Sequence, residues 1–279
     1  MSQQEIYQKL NRLWIIYKMK NIKFGPAGLG PVDTAIETLE RYHKMGLEAC
    51  EISFTYSTYI KEKDAKIIGA RAKELGIQLS IHAPYFVNLN SDEKLKVENS
   101  KKRILKCLEI GTYLGAKFVV FHSGFYGKGT REEAYKNIKN NILDLQKVRK
   151  EKNYTPELAP ETMGKINVFG SIEEVAQLVR DTQCSACIDF AHILARSGGD
   201  YRFSETLKLF NKLKKIHIHF SGIIYGDKGE KKHKKTQKEE WKKLIDALPK
   251  DKNISIVNES PDMVEDSVVG LKIYQKLKV

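Results

Sequence analysis

The segment KKIHIHFSG, residues 214–222, carries two histidines one residue apart inside an apolar run. Successive side chains in a β-strand point to opposite faces. A strand here would place His217 and His219 on one face and the isoleucines on the other. A buried imidazole needs a partner for each ring nitrogen. The segment therefore predicts a buried strand whose end carries polar chemistry.

Seven further β-branched runs share this form, and each precedes a polar or glycine-rich turn and an amphipathic stretch. They are NIKFG (21–25), ACEISF (49–54), IQLSIHAP (77–84), KFVVFHSG (117–124), YTPELAPET (154–162), SACIDFAH (185–192) and ISIVNES (254–260). The helical segments include VDTAIETLERYHKMG (32–46), AKIIGARAKELG (65–76) and SIEEVAQLVRDT (171–182), and the last opens with the capping-box pair Ser171 and Glu174. This repetition predicts an α/β protein, a single-domain (β/α)8 TIM barrel over residues 19–279.

A Rossmann-like sheet is the alternative fold, but GPAGLG (25–30) lacks the GxGxxG spacing after the first strand. Residues 1–18 form a leader before Met19, which is either an added helix or the product of an upstream start. The basic segment GDKGEKKHKKTQKEE (226–240) is predicted to be a long loop after the seventh strand.

The composition narrows the classes of function. A net charge of +13 over 279 residues favours anionic partners such as nucleic acid, although a lysine-rich thermophile surface gives the same excess. Four cysteines in such a chain indicate buried thiols and a reducing, cytoplasmic location rather than a disulfide framework, and Cys184 and Cys187 form a lone CxxC. No N-terminal apolar run is long enough for a membrane span, and we expect a monomer that does not bind membranes.

Metal-binding residue types collect at the predicted strand ends. The histidines there are His82, His122, His192, His217 and His219, with His233 in the basic segment, and the carboxylates are Glu161, Asp189 and Glu259. One such position is usually a satisfied core histidine or a carboxylate that caps the next helix. Six consecutive strand ends, which meet at one rim of a barrel, are hard to explain in that way. His43 lies among charged residues of a helix and is predicted to be a surface residue.

Several carboxylates at one barrel mouth repel each other unless they are protonated or neutralised. Divalent cations neutralise them, and neutral imidazoles complete a nitrogen–oxygen ligand set that suits Zn2+, with Mn2+ or Fe2+ as competitors. One zinc ion takes three or four protein ligands. About eight candidate ligands therefore predict two or three ions with a bridging carboxylate, an arrangement suited to phosphoryl displacement.

These residues also resemble the ordered motifs of the endonuclease IV family. The matching motifs are HAPY (82–85), FHSG (121–124), PETMG (160–164), CIDFAH (187–192), HIHFSG (217–222) and NESP (258–261). The family comprises zinc-dependent apurinic/apyrimidinic endonucleases built on a (β/α)8 barrel of the xylose-isomerase-like superfamily. The resemblance implies a DNA repair hydrolase that cleaves double-stranded DNA on the 5′ side of abasic sites.

By position, the resemblance implies three zinc sites. His82 and His122 would bind the first ion, and Glu161 would bridge it to a second ion, which also binds Asp189, a strand-seven histidine and Glu259. His192 and His233 would bind a third ion. Glu161 and Glu259 are the implied catalytic carboxylates.

Two positions depart from the family pattern. Lys231 stands where the family has an aspartate two residues before the loop histidine, so Glu230 or Asp227 substitutes for it, or the third ion binds weakly or not at all. His217 and His219 both align with the single strand-seven ligand. His217 fits the preceding residues better and is preferred as the ligand, which leaves His219 to orient a ligand or phosphate.

Tyr85 matches an aromatic residue that the family inserts into DNA at the lesion, and Phe86 is next to it. Packing of a rim loop explains these two residues equally well. The basic segment would add phosphate contacts that do not depend on DNA sequence.

Two other functions stay open. A xylose-isomerase-like sugar isomerase or epimerase would use one divalent metal on Glu161, Asp189, the strand-seven histidine and Glu259, but has no need of the additional histidines or the basic charge. A nucleic-acid-binding protein that carries metal without catalysis is kept open by Lys231.

Overall fold

The computed structural model describes residues 22–277, in which eight parallel strands close into a barrel surrounded by helices. The barrel strands are β1 (Ile22–Pro26), β2 (Ala49–Ser53), β3 (Gln78–His82), β4 (Phe118–Phe121), β5 (Glu157–Pro160), β6 (Cys187–Asp189) and β7 (Lys215–His219), and β10 (Asn253–Asn258) follows an antiparallel hairpin of β8 (Gly222–Gly226) and β9 (Gly229–Lys234). The predicted (β/α)8 barrel is confirmed. The predicted leader, residues 1–18, lies outside the described residues.

The strands pair in two parallel sets, β2-β3-β4-β5 and β6-β7-β10-β1. Backbone hydrogen bonds close both seams. The amide of Glu48 donates to the carbonyl of Phe24 between β1 and β2, and the amide of Thr162 donates to the carbonyl of Cys187 between β5 and β6. The barrel is therefore continuous, and the carboxyl ends of all eight strands face one mouth.

The helices are α1 (Ala35–Lys44), α2 (Glu62–Glu74), α3 (Lys94–Leu114), α4 (Arg131–Glu151), α5 (Ile172–Thr182), α6 (Phe190–Arg196), α7 (Phe203–Leu209), α8 (Lys238–Ala247) and α9 (Met263–Lys276). The predicted capping box at the start of α5 is present, because Ser171 accepts from the amide of Glu174 and Glu174 accepts from the amide of Ser171. Among residues 22–277, none of the helices combines the length and the apolar composition that a membrane span requires.

Close backbone packing positions the strands and helices. A β-carbon at Gly25 in β1 would lie 1.7 Å from the carbonyl oxygen of Ala49, so only glycine allows β1 to approach β2 here. Gly270 similarly lets α9 lie against the ring of Trp241, where a β-carbon would be 2.9 Å from the ring atoms. All four cysteines are buried and free, as predicted.

The prediction of a loop over residues 226–240 is wrong in part. The segment forms the end of β8, the strand β9 and the start of α8, and the hairpin turns at Asp227 and Lys228. Its outward face is exposed and rich in lysine, so the apolar alternation that predicts a strand is missing. The hairpin projects from the mouth of the barrel directly after β7.

Candidate metal centre at the barrel mouth

Glu161 lies at the centre of the mouth, one residue beyond β5, and is buried. Its Oε2 is 3.3 Å from Nε2 of His82 and 3.0 Å from Nε2 of His122. Its Oε1 is 3.0 Å from Nδ1 of His219. One carboxylate is thus shared by imidazoles that come from β7 and from the ends of β3 and β4.

Two ligand groups meet at this carboxylate. His82, His122 and Glu161 form one group, and Glu161, Asp189, His219 and Glu259 form the other, each with its ligand atoms within 4.8 Å of one another. Nδ1 of His219 lies 3.4 Å from Oε2 of Glu259 and 4.0 Å from Oδ2 of Asp189. The mouth therefore contains two candidate metal-ligand groups that have Glu161 in common.

Two histidines of the site use one ring nitrogen in a hydrogen bond inside the protein, and a third has a close contact to a buried carboxylate there. Nδ1 of His82 donates to the carbonyl of Ala83 at 2.8 Å, and Nδ1 of His192 donates to the carbonyl of Thr162 at 3.0 Å. Nε2 of His219 lies 2.8 Å from Oε1 of Glu51. Histidines that bind metals are held in this way by a partner on the second nitrogen, which leaves the first nitrogen free for the ion.

Asp189 caps α6 and also faces the site. Its Oδ1 accepts from the amide of His192 at 2.8 Å, so the helix-capping role expected for a typical strand-end carboxylate is real here. Its Oδ2, by contrast, is among the buried atoms of residues 22–277 that have no hydrogen-bond partner. A buried carboxylate oxygen of this kind is costly unless a cation neutralises it, which fits a metal site.

His217 and His219, the two histidines of the HIH motif (residues 217–219), lie in different layers of the barrel. Strand pairing places His219 beside Asp189, and places His217 beside Cys187 and Ser255. Nδ1 of His217 is hydrogen-bonded to the Ser255 hydroxyl at 2.8 Å, and Nε2 lies 2.9 Å from Oε2 of Glu51. Both ring nitrogens of His217 therefore have partners below the mouth.

Glu51 is a buried site residue that the sequence analysis missed. It lies on β2 under the mouth, contacts both histidines of the HIH motif, and accepts from the hydroxyl of Ser80 at 2.8 Å. Burial would raise the pKa of Glu51, but His219 and His217 hold it well below its usual range. The sequence feature that could have revealed Glu51 is a charged residue inside the apolar run ACEISF, because a buried charge requires a partner.

A further cluster of polar side chains lies where the hairpin meets α6. Nε2 of His192 lies 3.0 Å from Oε2 of Glu230, and the rings of His192 and His233 have centroids 5.6 Å apart. Nδ1 of His233 is hydrogen-bonded to the hydroxyl of Ser221 at 2.6 Å. Lys231, which stands where the endonuclease IV motif has an aspartate, is exposed.

The electrostatics of the mouth link metal binding to proton release. Burial would lower the pKa of His82, but Glu161 raises it to about 9. Burial raises the pKa of Asp189 to about 8. Burial would also raise the pKa of Glu259, but the charge of His219 lowers it to about 2. Since metal ligands must be deprotonated, a cation here would displace protons from His82 and Asp189, but not from Glu259, and would bind more tightly as the pH rises.

A cavity of about 220 Å³ opens at the mouth, and Tyr85 is the tyrosine that lines it. Tyr85 is 60% exposed, with its ring centroid 6.0 Å from that of His122. Phe86 is 56% exposed and lies 6.1 Å from the ring of Tyr56, which is 73% exposed. Tyr56 is a second residue that the sequence analysis did not select. Packing does not bury these rings, which leaves them free for an external partner.

The structure brings most of the residues selected from the sequence into one site. Those around the mouth are His82, His122, Glu161, Asp189, His192, His219, His233 and Glu259, with Tyr85 and Phe86 on the rim and His217 one layer below. His43 is exposed on α1, as predicted.

The fold and the site define the class of this protein, a (β/α)8 barrel with a cluster of candidate metal-ligand side chains at its mouth. Residues 39–265 match the family described as Xylose isomerase-like TIM barrel, and the chain belongs to that family.

Two relatives are similar in sequence. A protein of Methanocaldococcus jannaschii described as uncharacterized is 36% identical over 91% of this chain and 97% of its own length. A probable endonuclease 4 of Mesomycoplasma hyopneumoniae is 32% identical, over 54% of this chain and 56% of that protein.

Two solved structures share the fold. Endonuclease IV from Thermus thermophilus has a TM-score of 0.69 at 20% identity, covering 91% of this chain and 98% of that one. D-psicose 3-epimerase from Clostridium cellulolyticum H10 has a TM-score of 0.64 at 13% identity, covering 87% of this chain and 93% of that one.

Proposed function

We propose that this protein is a DNA repair endonuclease that hydrolyses the phosphodiester 5′ to an abasic site with a cluster of two or three zinc ions. The observation that carries the proposal is the sharing of Glu161 between two ligand groups. A single-metal enzyme needs only the group of Glu161, Asp189, His219 and Glu259. The additional pair, His82 and His122, lies on the opposite side of the same carboxylate and fits a second ion.

Each residue has a distinct task in this proposal. Bound zinc ions would supply Lewis acidity and lower the pKa of water toward neutrality. Glu161 holds the two ligand groups together, while Glu259 reaches the same pocket from the end of β10. His219, rather than His217, is the strand-seven ligand in this proposal, because its Nδ1 faces Glu161 and Glu259. Glu51 acts beneath it as the partner that orients the ring.

The surface around the pocket supports a nucleic-acid substrate. The net charge of +13 attracts phosphates, and the hairpin presents exposed lysines beside the pocket, including Lys228, Lys231 and Lys232. The similarity to probable endonuclease 4 proteins supports the same substrate class. Exposed aromatic rings at the rim suit insertion beside an abasic nucleotide, where unstacking costs least.

The proposal is tested by cleavage of an oligonucleotide duplex that carries a tetrahydrofuran abasic analogue. This analogue cannot undergo β-elimination, so a lysine-rich protein cannot cleave it merely through its amines. We expect cleavage that leaves a polymerase-extendable 3′-hydroxyl, disappears after treatment with a chelator and returns with zinc. Retention of cleavage in excess chelator, or the absence of cleavage with zinc present, would contradict the proposal.

The second candidate is a sugar epimerase, favoured by the completeness of the single-metal group and by the fold shared with D-psicose 3-epimerase. Epimerisation of ketoses without DNA cleavage would support it. Metal-dependent binding of abasic DNA without cleavage would instead support the nucleic-acid-binding alternative.

Tyr85→Ala is expected to weaken discrimination of abasic over intact duplex by about tenfold, because stacking against a base is worth about 1–3 kcal/mol. The side chain is mostly exposed and uses no ligand atom of the pocket, so the metal content should not change. Fluorescence-anisotropy titrations with the two duplexes measure the ratio. Tyr85→Phe keeps the ring and should keep the discrimination; equal ratios for all three proteins would exclude a role for this ring.

A further inference from the structure

Glu230 is one of the two carboxylates that the sequence offers in place of the missing aspartate. Its Oε2 is buried, has no hydrogen-bond partner among residues 22–277, and is 3.0 Å from Nε2 of His192. Nδ1 of His192 already donates to a backbone carbonyl, so Nε2 is the nitrogen left for a ligand. The only other close cation partner of Glu230 in the described part of the chain is Lys165, whose Nζ is 3.9 Å from Oε1.

A β-bulge explains why Glu230 faces the site. In the hairpin, Tyr225 pairs with Glu230, Ile224 with Lys232 and Ile223 with His233. Lys231 is the additional residue in β9, so Glu230 and His233 are two pairing positions apart and lie on the same face. Without the bulge, residues 230 and 233 would point to opposite faces.

Backbone packing holds the hairpin turn against the loop after β5. A β-carbon at Gly229 would lie 2.1 Å from the carbonyl oxygen of Gly164, and a β-carbon at Gly164 would lie 2.2 Å from Oε2 of Glu230. Gly229 also has a φ of +92°, which favours glycine. The two glycines let the hairpin approach closely enough for Glu230 to reach His192.

The resulting set contains two imidazoles and one carboxylate. Nδ1 of His233 is hydrogen-bonded to the hydroxyl of Ser221, so Nε2 is the nitrogen left for a ligand. The ring centroid of His233 lies 5.6 Å from that of His192. Two histidines and one carboxylate are a known ligand set for zinc with an open position. Glu230, His192 and His233 all line the same cavity.

We propose that Glu230 is the carboxylate ligand of a third divalent ion, bound with His192 and His233, and that the bulge at Lys231 creates this site. The inference rests on the proposed function only in taking the mouth to bind metal. Lys231 is exposed and its side chain lies over Gly226 at the hairpin turn, with Nζ 3.0 Å from where a β-carbon of that residue would be. Lys231 therefore plays no part in the ligand set.

Zinc titration of the full chain tests this site without DNA. Metal-depleted protein is titrated against a chromophoric chelator, and bound zinc is counted by elemental analysis. Loss of a partner that only orients a metal ligand costs about 10–100-fold in affinity. We therefore expect Glu230→Gln, which removes a ligand, to weaken the binding of one of three ions by at least about tenfold while the other two bind normally. Asp227→Asn removes the other carboxylate that the sequence offers for this ion; because Asp227 is exposed at the hairpin turn, this variant should bind zinc like the wild type.

Lys231→Asp restores the aspartate that endonuclease IV proteins have two residues before the loop histidine. If Glu230 is the ligand, this aspartate should add no ion and should change no zinc affinity by more than about twofold. Unchanged zinc binding by Glu230→Gln, or a gain of an ion by Lys231→Asp, would overturn the inference. If the wild type cleaves no DNA but Glu230→Gln still loses one ion, the inference stands and the nuclease proposal is rejected. If the wild type cleaves DNA but binds only two ions, the nuclease proposal stands and the inference is rejected.

Discussion

Glu161→Gln should reduce zinc-dependent cleavage of abasic DNA on the order of a thousandfold while the barrel stays folded. The amide keeps the size of the side chain but removes the charge that His82, His122 and His219 all face at 3.0–3.3 Å. With no carboxylate to join the two ligand groups, the ions would bind weakly and separately.

The matched control is Glu157→Gln, because Glu157 begins β5 at the opposite end of the barrel and Glu161 follows the last residue of that strand. Glu157 pairs with Lys215 at 3.1 Å, and both side chains are more than a third exposed, so loss of this pair should cost little stability. Cleavage rate, zinc content and melting temperature are measured for both variants. Cleavage by Glu161→Gln at the rate of the control would show that the shared carboxylate is not essential, and would remove the main support for a multinuclear centre.

His219→Gln and His217→Gln should separate a metal ligand from a buried structural histidine. His219→Gln should lose at least one zinc ion and nearly all cleavage, because Nδ1 faces Glu161 and Glu259 in the mouth. His217→Gln should keep its zinc, since both ring nitrogens of His217 have partners in the barrel interior. It should instead lose about 1–3 kcal/mol of unfolding free energy, because Glu51 and Ser255 lose a buried partner.

Both histidines contact Glu51, so each variant disturbs that residue, and the difference between them isolates the contacts to the mouth. Elemental analysis and urea unfolding of the zinc-loaded proteins give the two readouts. A lower zinc content in His217→Gln, with normal content in His219→Gln, would reverse the assignment. It would also restore the preference for His217 that the sequence pattern indicated.

Local sequence was sufficient to predict the barrel and most of the residues of the candidate site. Eight β-branched runs, each followed by an amphipathic helix, define strand–helix units that pack in few ways. Once the fold is a barrel, strand ends converge on one mouth, so His82, His122 and Glu161 could be placed together from their positions in the runs alone. The capping box of α5 was equally local, because Ser171 and Glu174 are three residues apart.

Residues whose roles depend on partners from distant strands were harder to predict. Glu51 contacts histidines 166 and 168 positions later in the chain, and no local pattern indicates that pairing. The bulge in β9 is also invisible in a lysine-rich segment without apolar alternation, so the face occupied by Glu230 could not be inferred.

The sequence by itself determined the barrel and the set of side chains that gather at its mouth, because periodicity and strand-end position are local properties of the chain. Only the tertiary structure decided which histidine of the HIH motif faces the carboxylates, and that Glu230 rather than Lys231 approaches His192. Strand alternation leaves His217 and His219 on the same face. Their depth in the barrel is set by register between β6, β7 and β10, which forms only when all strands pair.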